Sequence, residues 1–158
     1  MRNSTAMFIV GVCSCLVFSA FVTKAQKSTQ ACTLAIVSPE QGSQVGAMGT
    51  VSGTAKIPGD GHVWALVHVK GLAGWWPQGG GEAELVNGEW SVRAFYGGNQ
   101  DVGSPFEIAA VVVAASVNQD LNMYVQKATT DGNWPPIKFP DVLQGCPIAR
   151  VTVTKAKH

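Results

Sequence analysis

Glu82-Ala-Glu-Leu-Val-Asn87-Gly88-Glu89-Trp-Ser-Val-Arg-Ala-Phe95 is the stretch that decides the fold. Asn-Gly between two β-prone runs is the strongest short hairpin signal, because both central residues of a type I′ turn need positive φ. The stretch predicts two antiparallel strands, Glu82 to Val86 and Glu89 to Phe95, and places the chain among the β proteins.

Upstream, His62-Val-Trp-Ala-Leu-Val-His-Val-Lys70 puts Val63, Ala65, Val67 and Val69 on one face and His62, Trp64, Leu66 and His68 on the other. Both faces are largely apolar, as in a central strand. Downstream, Pro105-Phe-Glu-Ile-Ala-Ala-Val-Val-Val-Ala-Ala115 is apolar on both faces and β-branched at its centre, a second central strand. Thr33 to Val37 forms a first strand stopped by Ser38-Pro39, Thr50 to Ile57 a second ended by Pro58-Gly-Asp-Gly61, and Ile148 to Thr154 the last. One short helix is predicted between Val117 and Ala128. Leu121, Tyr124, Val125 and Ala128 share a face there, with Asn118 as cap and Asp120 near the positive end of the dipole. Six or seven mostly antiparallel strands linked by Gly-rich turns give an all-β class, an immunoglobulin-like antiparallel β-sandwich with the helix before the last strand; a small β-barrel is the alternative.

The chain has 158 residues, 46% hydrophobic and 13% charged, which is one domain with a short appendage and a packed core. Arg2, the apolar run Met7 to Val22 and Thr23-Lys24-Ala25 have the order of a secretory leader, giving a signal peptide at 1–25, a flexible lead-in at 26–32 and the sandwich at 33–158. The run of about sixteen residues is short for a bilayer core that needs roughly twenty, so no membrane span is expected after cleavage. An anchor formed by an uncleaved leader, or by a lipid on Cys15, is the alternative to a secreted or periplasmic location. Cleavage leaves nine basic and ten acidic residues, a net charge of −1, with no run of like charge to bind nucleic acid. It also leaves Cys32 and Cys146 in an oxidising compartment, where one disulfide is expected and two buried free thiols are the alternative. Such a bridge would restrict the unfolded chain by roughly 4 to 5 kcal/mol through loop-closure entropy.

Ile36-Val-Ser-Pro39-Glu-Gln-Gly42-Ser-Gln-Val45, followed by Val51-Ser-Gly53, resembles the opening of many bacterial extracytoplasmic immunoglobulin-like modules, which begin I-x-S-P-x-x-G-x-x-V and soon add V-x-G. His62-x-Trp64, Trp76-Pro77-Gln78, Gly88-x-Trp90 and Phe106-x-Ile108 look like a subgroup attached to varied envelope proteins. The resemblance spans about Thr33 to Thr154, and implies a secreted sandwich with no established activity.

Reaction chemistry is hard to find. His62 and His68 lie six residues apart on one strand face, about 20 Å and too far to share a zinc ion. No G-x-S-x-G elbow, P-loop or dinucleotide fingerprint occurs, so no enzyme and no cofactor is expected. Glu82 and Glu84 could hold Ca²⁺ with Asp60 or Asp101, but paired surface carboxylates are more often solvated, and no metal site is assigned. The candidate ligand-binding residues are Trp75, Trp76 and Gln78, in the loop Gly71-Leu-Ala-Gly-Trp-Trp-Pro-Gln-Gly-Gly-Gly81. Adjacent Trp residues cannot readily point the same way: either both rings close the open end of the sandwich, or one is a platform for a sugar ring or a protein hot spot. Trp64 and Trp90 belong in the core, and Trp134 plugs one end. A non-catalytic binding module for an envelope or extracellular protein or glycan is the expected function; a structural or accessory subunit of an envelope assembly, pairing through an edge strand, is the alternative.

Overall fold

The computed structural model describes residues 31–157, so the expected leader, the alternative lipid site at Cys15 and most of the 26–32 lead-in lie outside the described residues. The elements in chain order are β1 (Thr33–Ser38), β2 (Gln44–Val45), β3 (Met48–Lys56), β4 (Gly61–Val69), β5 (Trp76–Pro77), β6 (Leu85–Val86), β7 (Glu89–Phe95), a 3₁₀ turn (Asn99–Asp101), β8 (Pro105–Ala114), α1 (Ala115–Asp131) and β9 (Ala149–Lys155). They build two sheets, ordered β1-β3-β7-β6 and β2-β9-β8-β4-β5, and the second is curled. The pairing is antiparallel except at β2, which leaves the first sheet after β1 and lies parallel to β9. Among the described residues no helix is long and apolar enough to cross a membrane.

Alternation along the strands explains the interior. Val51, Trp90, Val92 and Ala94 point inward from the first sheet and meet Val63, Ala65, Val67, Phe106, Ile108 and Val112 from the second. Each Val, Ile and Phe among them, once buried, stabilises the fold by roughly 1.5 to 3 kcal/mol. Gly53 is needed where it stands, opposite Trp90 in the ladder. A Cβ there would fall 1.9 Å from the Ala35 carbonyl oxygen and 2.6 Å from the Trp90 ring.

The two apolar faces of β4 and β8 have different partners. One faces the first sheet. On the other, Trp64, Leu66, Val111 and Val113 pack under Leu121 and Val125 of α1, flanked by Ile137, Phe139 and Val142 of the following loop. Sheet, sheet and helix-with-loop therefore form three layers.

Two local expectations need correction. The helix is not short: it spans 17 residues and grows directly out of β8, with Ala114 in the capping position. Asn118 therefore lies one turn inside it, 8% exposed, with Oδ1 accepting the Trp64 Nε1–H at 2.7 Å. Docking of the Leu121, Val125 and Ala128 stripe on the sheet stabilises the helix without a side-chain cap. The Asn87-Gly88 hairpin forms with φ of 52° and 83°, but its first strand is shorter than expected. Ala83 has left for the other sheet, donating its N–H to the Val63 carbonyl, so the ladder keeps only Leu85 and Val86. Cys32, just before β1, is bonded to Cys146 in the loop before β9.

Candidate functional site

The chain between β4 and β6 sends its two Trp rings to different layers. Trp75 exchanges both backbone hydrogen bonds with Ile137, so its ring joins the outer layer. There it stacks on His68 at 4.7 Å and meets the edge of Phe139 at 4.9 Å. The Arg150 guanidinium, ion-paired with Glu107, lies 5.2 Å from the Trp75 ring and 4.8 Å from Phe139. His68 is fixed from its other side by Nδ1, which donates to the Gly74 carbonyl.

Trp76 pairs with Val67 in the ladder and turns toward the seam between the sheets, where its Nε1–H donates to the Trp134 carbonyl at 2.9 Å. Gln78 stitches that seam. Its backbone N–H donates to Ala65, its Oε1 accepts the Phe95 N–H, and its Nε2 donates to the Trp76 carbonyl. The next N–H, of Gly79, donates to Arg93 of β7. One buried side-chain amide thus does between two sheet edges what a ladder does within a sheet.

Beside this seam lies a cleft of about 780 Å³, with Val67, Leu72, Trp76, Arg93, Phe95 and Trp134 among its walls. Its volume falls within the range of small-molecule sites, and its walls are mostly apolar. Leu72, Phe95 and Trp134 are 59%, 54% and 42% exposed, which gives the cleft an apolar rim. Trp134 does not plug one end of the domain; it forms one wall of this cleft, held edge-on by Tyr124 at 6.1 Å. The Tyr124 hydroxyl donates to the Pro135 carbonyl, and partial burial pushes its pKa up.

Of the three candidates, Trp76 and Gln78 meet at the cleft, Gln78 with its amide already engaged, and Trp75 lies in the outer layer. Arg93 and Phe95 were missed. They alternate with the buried Trp90, Val92 and Ala94 along β7, and an aromatic among the exposed Glu89, Ser91 and Arg93 was the available signal. Among the described residues no group of three His, Cys, Asp or Glu side chains is placed to hold a metal ion. Glu82 pairs with His62 beside a smaller cavity of about 290 Å³, which Glu84 also lines, while Asp101 lies at the main cleft. No protein-family model matches the chain, and no curated protein matches it.

Proposed function

We propose that the protein is a non-catalytic, extracytoplasmic binding module of the immunoglobulin-like type, which receives the apolar part of its ligand in the cleft beside Trp76. The observation that carries this reading is the cleft itself: an apolar concavity of ligand size with an exposed hydrophobic rim, in a domain that buries most of its other large apolar side chains. An apolar group suits it better than a sugar ring. Trp75 has a face covered by His68, and the Trp76 N–H is engaged by Trp134, so stacking area and donors for hydroxyls are both reduced.

Strand order supports the immunoglobulin-like reading. Lettered in chain order as A, A′, B, C, C′, D, E, F and G, the sheets run A-B-E-D and A′-G-F-C-C′. The departures are the helix between F and G, and a disulfide at the ends of the domain instead of between strands B and F. The leader-like first 25 residues and the disulfide support a location outside the cytoplasm.

The test is titration with Nile red, an uncharged apolar dye. Wild-type protein is expected to bind it with a blue-shifted emission. Leu72→Ser with Phe95→Ser, both on the exposed rim, is expected to abolish the signal while changing stability by no more than about 1 kcal/mol. Val86→Ser, at an equally exposed apolar site away from the cleft, is the control. Undiminished dye binding by the double variant would refute the reading.

A further inference from the structure

We infer that the ligand of the cleft is a hydrophobic monocarboxylate, its apolar body against Trp76 and Phe95 and its acid group on Arg93. This rests on the cleft being the binding site. The residues of the wall fix the body, and the polar groups left free by the fold fix the head.

Most polar groups near the cleft are already committed. The amide of Gln78 is engaged at both ends, and the Trp76 N–H is taken by Trp134. Asp101 accepts the Gly98 N–H on Oδ2 at 2.7 Å. Behind the same turn Lys155, only 3% exposed, donates to the carbonyls of Gly97 and Gly98. The Lys155 ammonium and the Asp101 carboxylate are thus both engaged by the backbone of Gly97 and Gly98.

Arg93 is different. It lines the cleft from β7, and among the described residues it forms no ion pair, whereas Arg150 is paired with Glu107 and Lys127 with Asp131. An unpaired guanidinium beside apolar walls selects an oxyanion attached to an apolar body. Its planar fork of donors matches a carboxylate bidentately. A single Arg with one nearby Asp matches a single negative charge better than a phosphate dianion. The hydroxyl of Thr129, which also lines the cleft, is a further donor for the head.

Calorimetric titration with n-alkyl carboxylates and the matching n-alkanols, below their aggregation concentrations and at low salt, tests the assignment. Decanoate is expected to bind about five- to tenfold more tightly than decanol. Affinity is expected to rise about fourfold per added methylene until the cleft is full. Arg93→Gln is expected to weaken decanoate to the level of decanol and leave decanol unchanged, and Arg93→Lys to retain part of the preference. If decanol binds and decanoate binds no more tightly, the carboxylate inference fails while the cleft remains the binding site. If Arg93→Gln leaves the preference intact, or decyl phosphate binds more tightly than decanoate, the inference also fails. If neither decanol nor Nile red binds, the reading of the cleft fails with it.

Discussion

The two faces of the β2-β9-β8-β4-β5 sheet treat their buried polar atoms in opposite ways. On the inner face, between the sheets, the Trp90 Nε1–H and the Tyr96 hydroxyl are buried without a partner among the described residues. On the outer side the buried Trp64 N–H donates to Asn118, and the less buried His68 and Tyr124 bond the carbonyls of Gly74 and Pro135. The inner layer is walled by two ladders whose backbone groups pair with one another, so few carbonyls are free to accept. The outer layer is closed by a helix with a polar side chain at Asn118 and by loops that offer the carbonyls of Gly74 and Pro135 to side chains. An irregular cover costs order, but it supplies acceptors that a second sheet withholds.

The largest expected effect bears on the outer layer. Trp64→Ala removes a fully buried ring and leaves Asn118 without its donor, and should lower stability by about 4 to 5 kcal/mol in denaturant unfolding. A loss near 1 kcal/mol would mean that the helix covers this face only loosely, which would break the contrast. The next effect belongs to the inner face. Burial pushes the Tyr96 phenol up to about 12 from the ordinary 10. The unfolded chain therefore releases this proton near pH 10, and the folded chain holds it until about pH 12. The contribution to stability is complete below pH 10 and is lost as pH rises through 12, on the order of 2 to 3 kcal/mol in unfolding titrations. Smaller again, Asn118→Leu should cost about 1 to 2 kcal/mol by stranding the Trp64 N–H. Smallest, Tyr96→Phe should be neutral or stabilising by up to about 1 kcal/mol and should remove the Tyr96 share of the alkaline loss, because it deletes a hydroxyl that has no partner. A cost above about 1 kcal/mol for Tyr96→Phe would show that the hydroxyl is bonded after all, and the faces would then differ less than described.

Long strands and the Asn87-Gly88 turn were legible because their signals are local: alternation along the chain and a dipeptide suited to positive φ. The pairing of Cys32 with Cys146 followed from there being only two Cys beyond residue 25. The two-residue strands β2, β5 and β6 were not legible, since their pairing is dictated by neighbours far away in sequence. Nor was the role of Asn118. A cap and a buried acceptor look alike until the partner, 54 residues away at Trp64, is in place. At the candidate site the divergence of Trp75 and Trp76 was foreseeable, because adjacent side chains in a loop cannot readily point the same way. That Trp75 is held by Ile137 and that the cleft takes Arg93 from another sheet was not, because both contacts cross between loops and sheets.

The Cys32–Cys146 bond also governs how the domain would respond to being stretched. Tension entering ahead of Cys32 crosses the sulfur link and leaves along β9, so residues 33–145 are bypassed and carry no load. Only β9, gripped between β2 and β8, has to yield, and the released segment from 147 to 157 extends by at most about 40 Å. Reduction of the bond would return the bypassed 114-residue separation to the force path, lengthening the reach to about 400 Å. Oxidised, the domain is a nearly inextensible link whose seam and cleft keep their shape under a pull; reduced, it becomes a long tether.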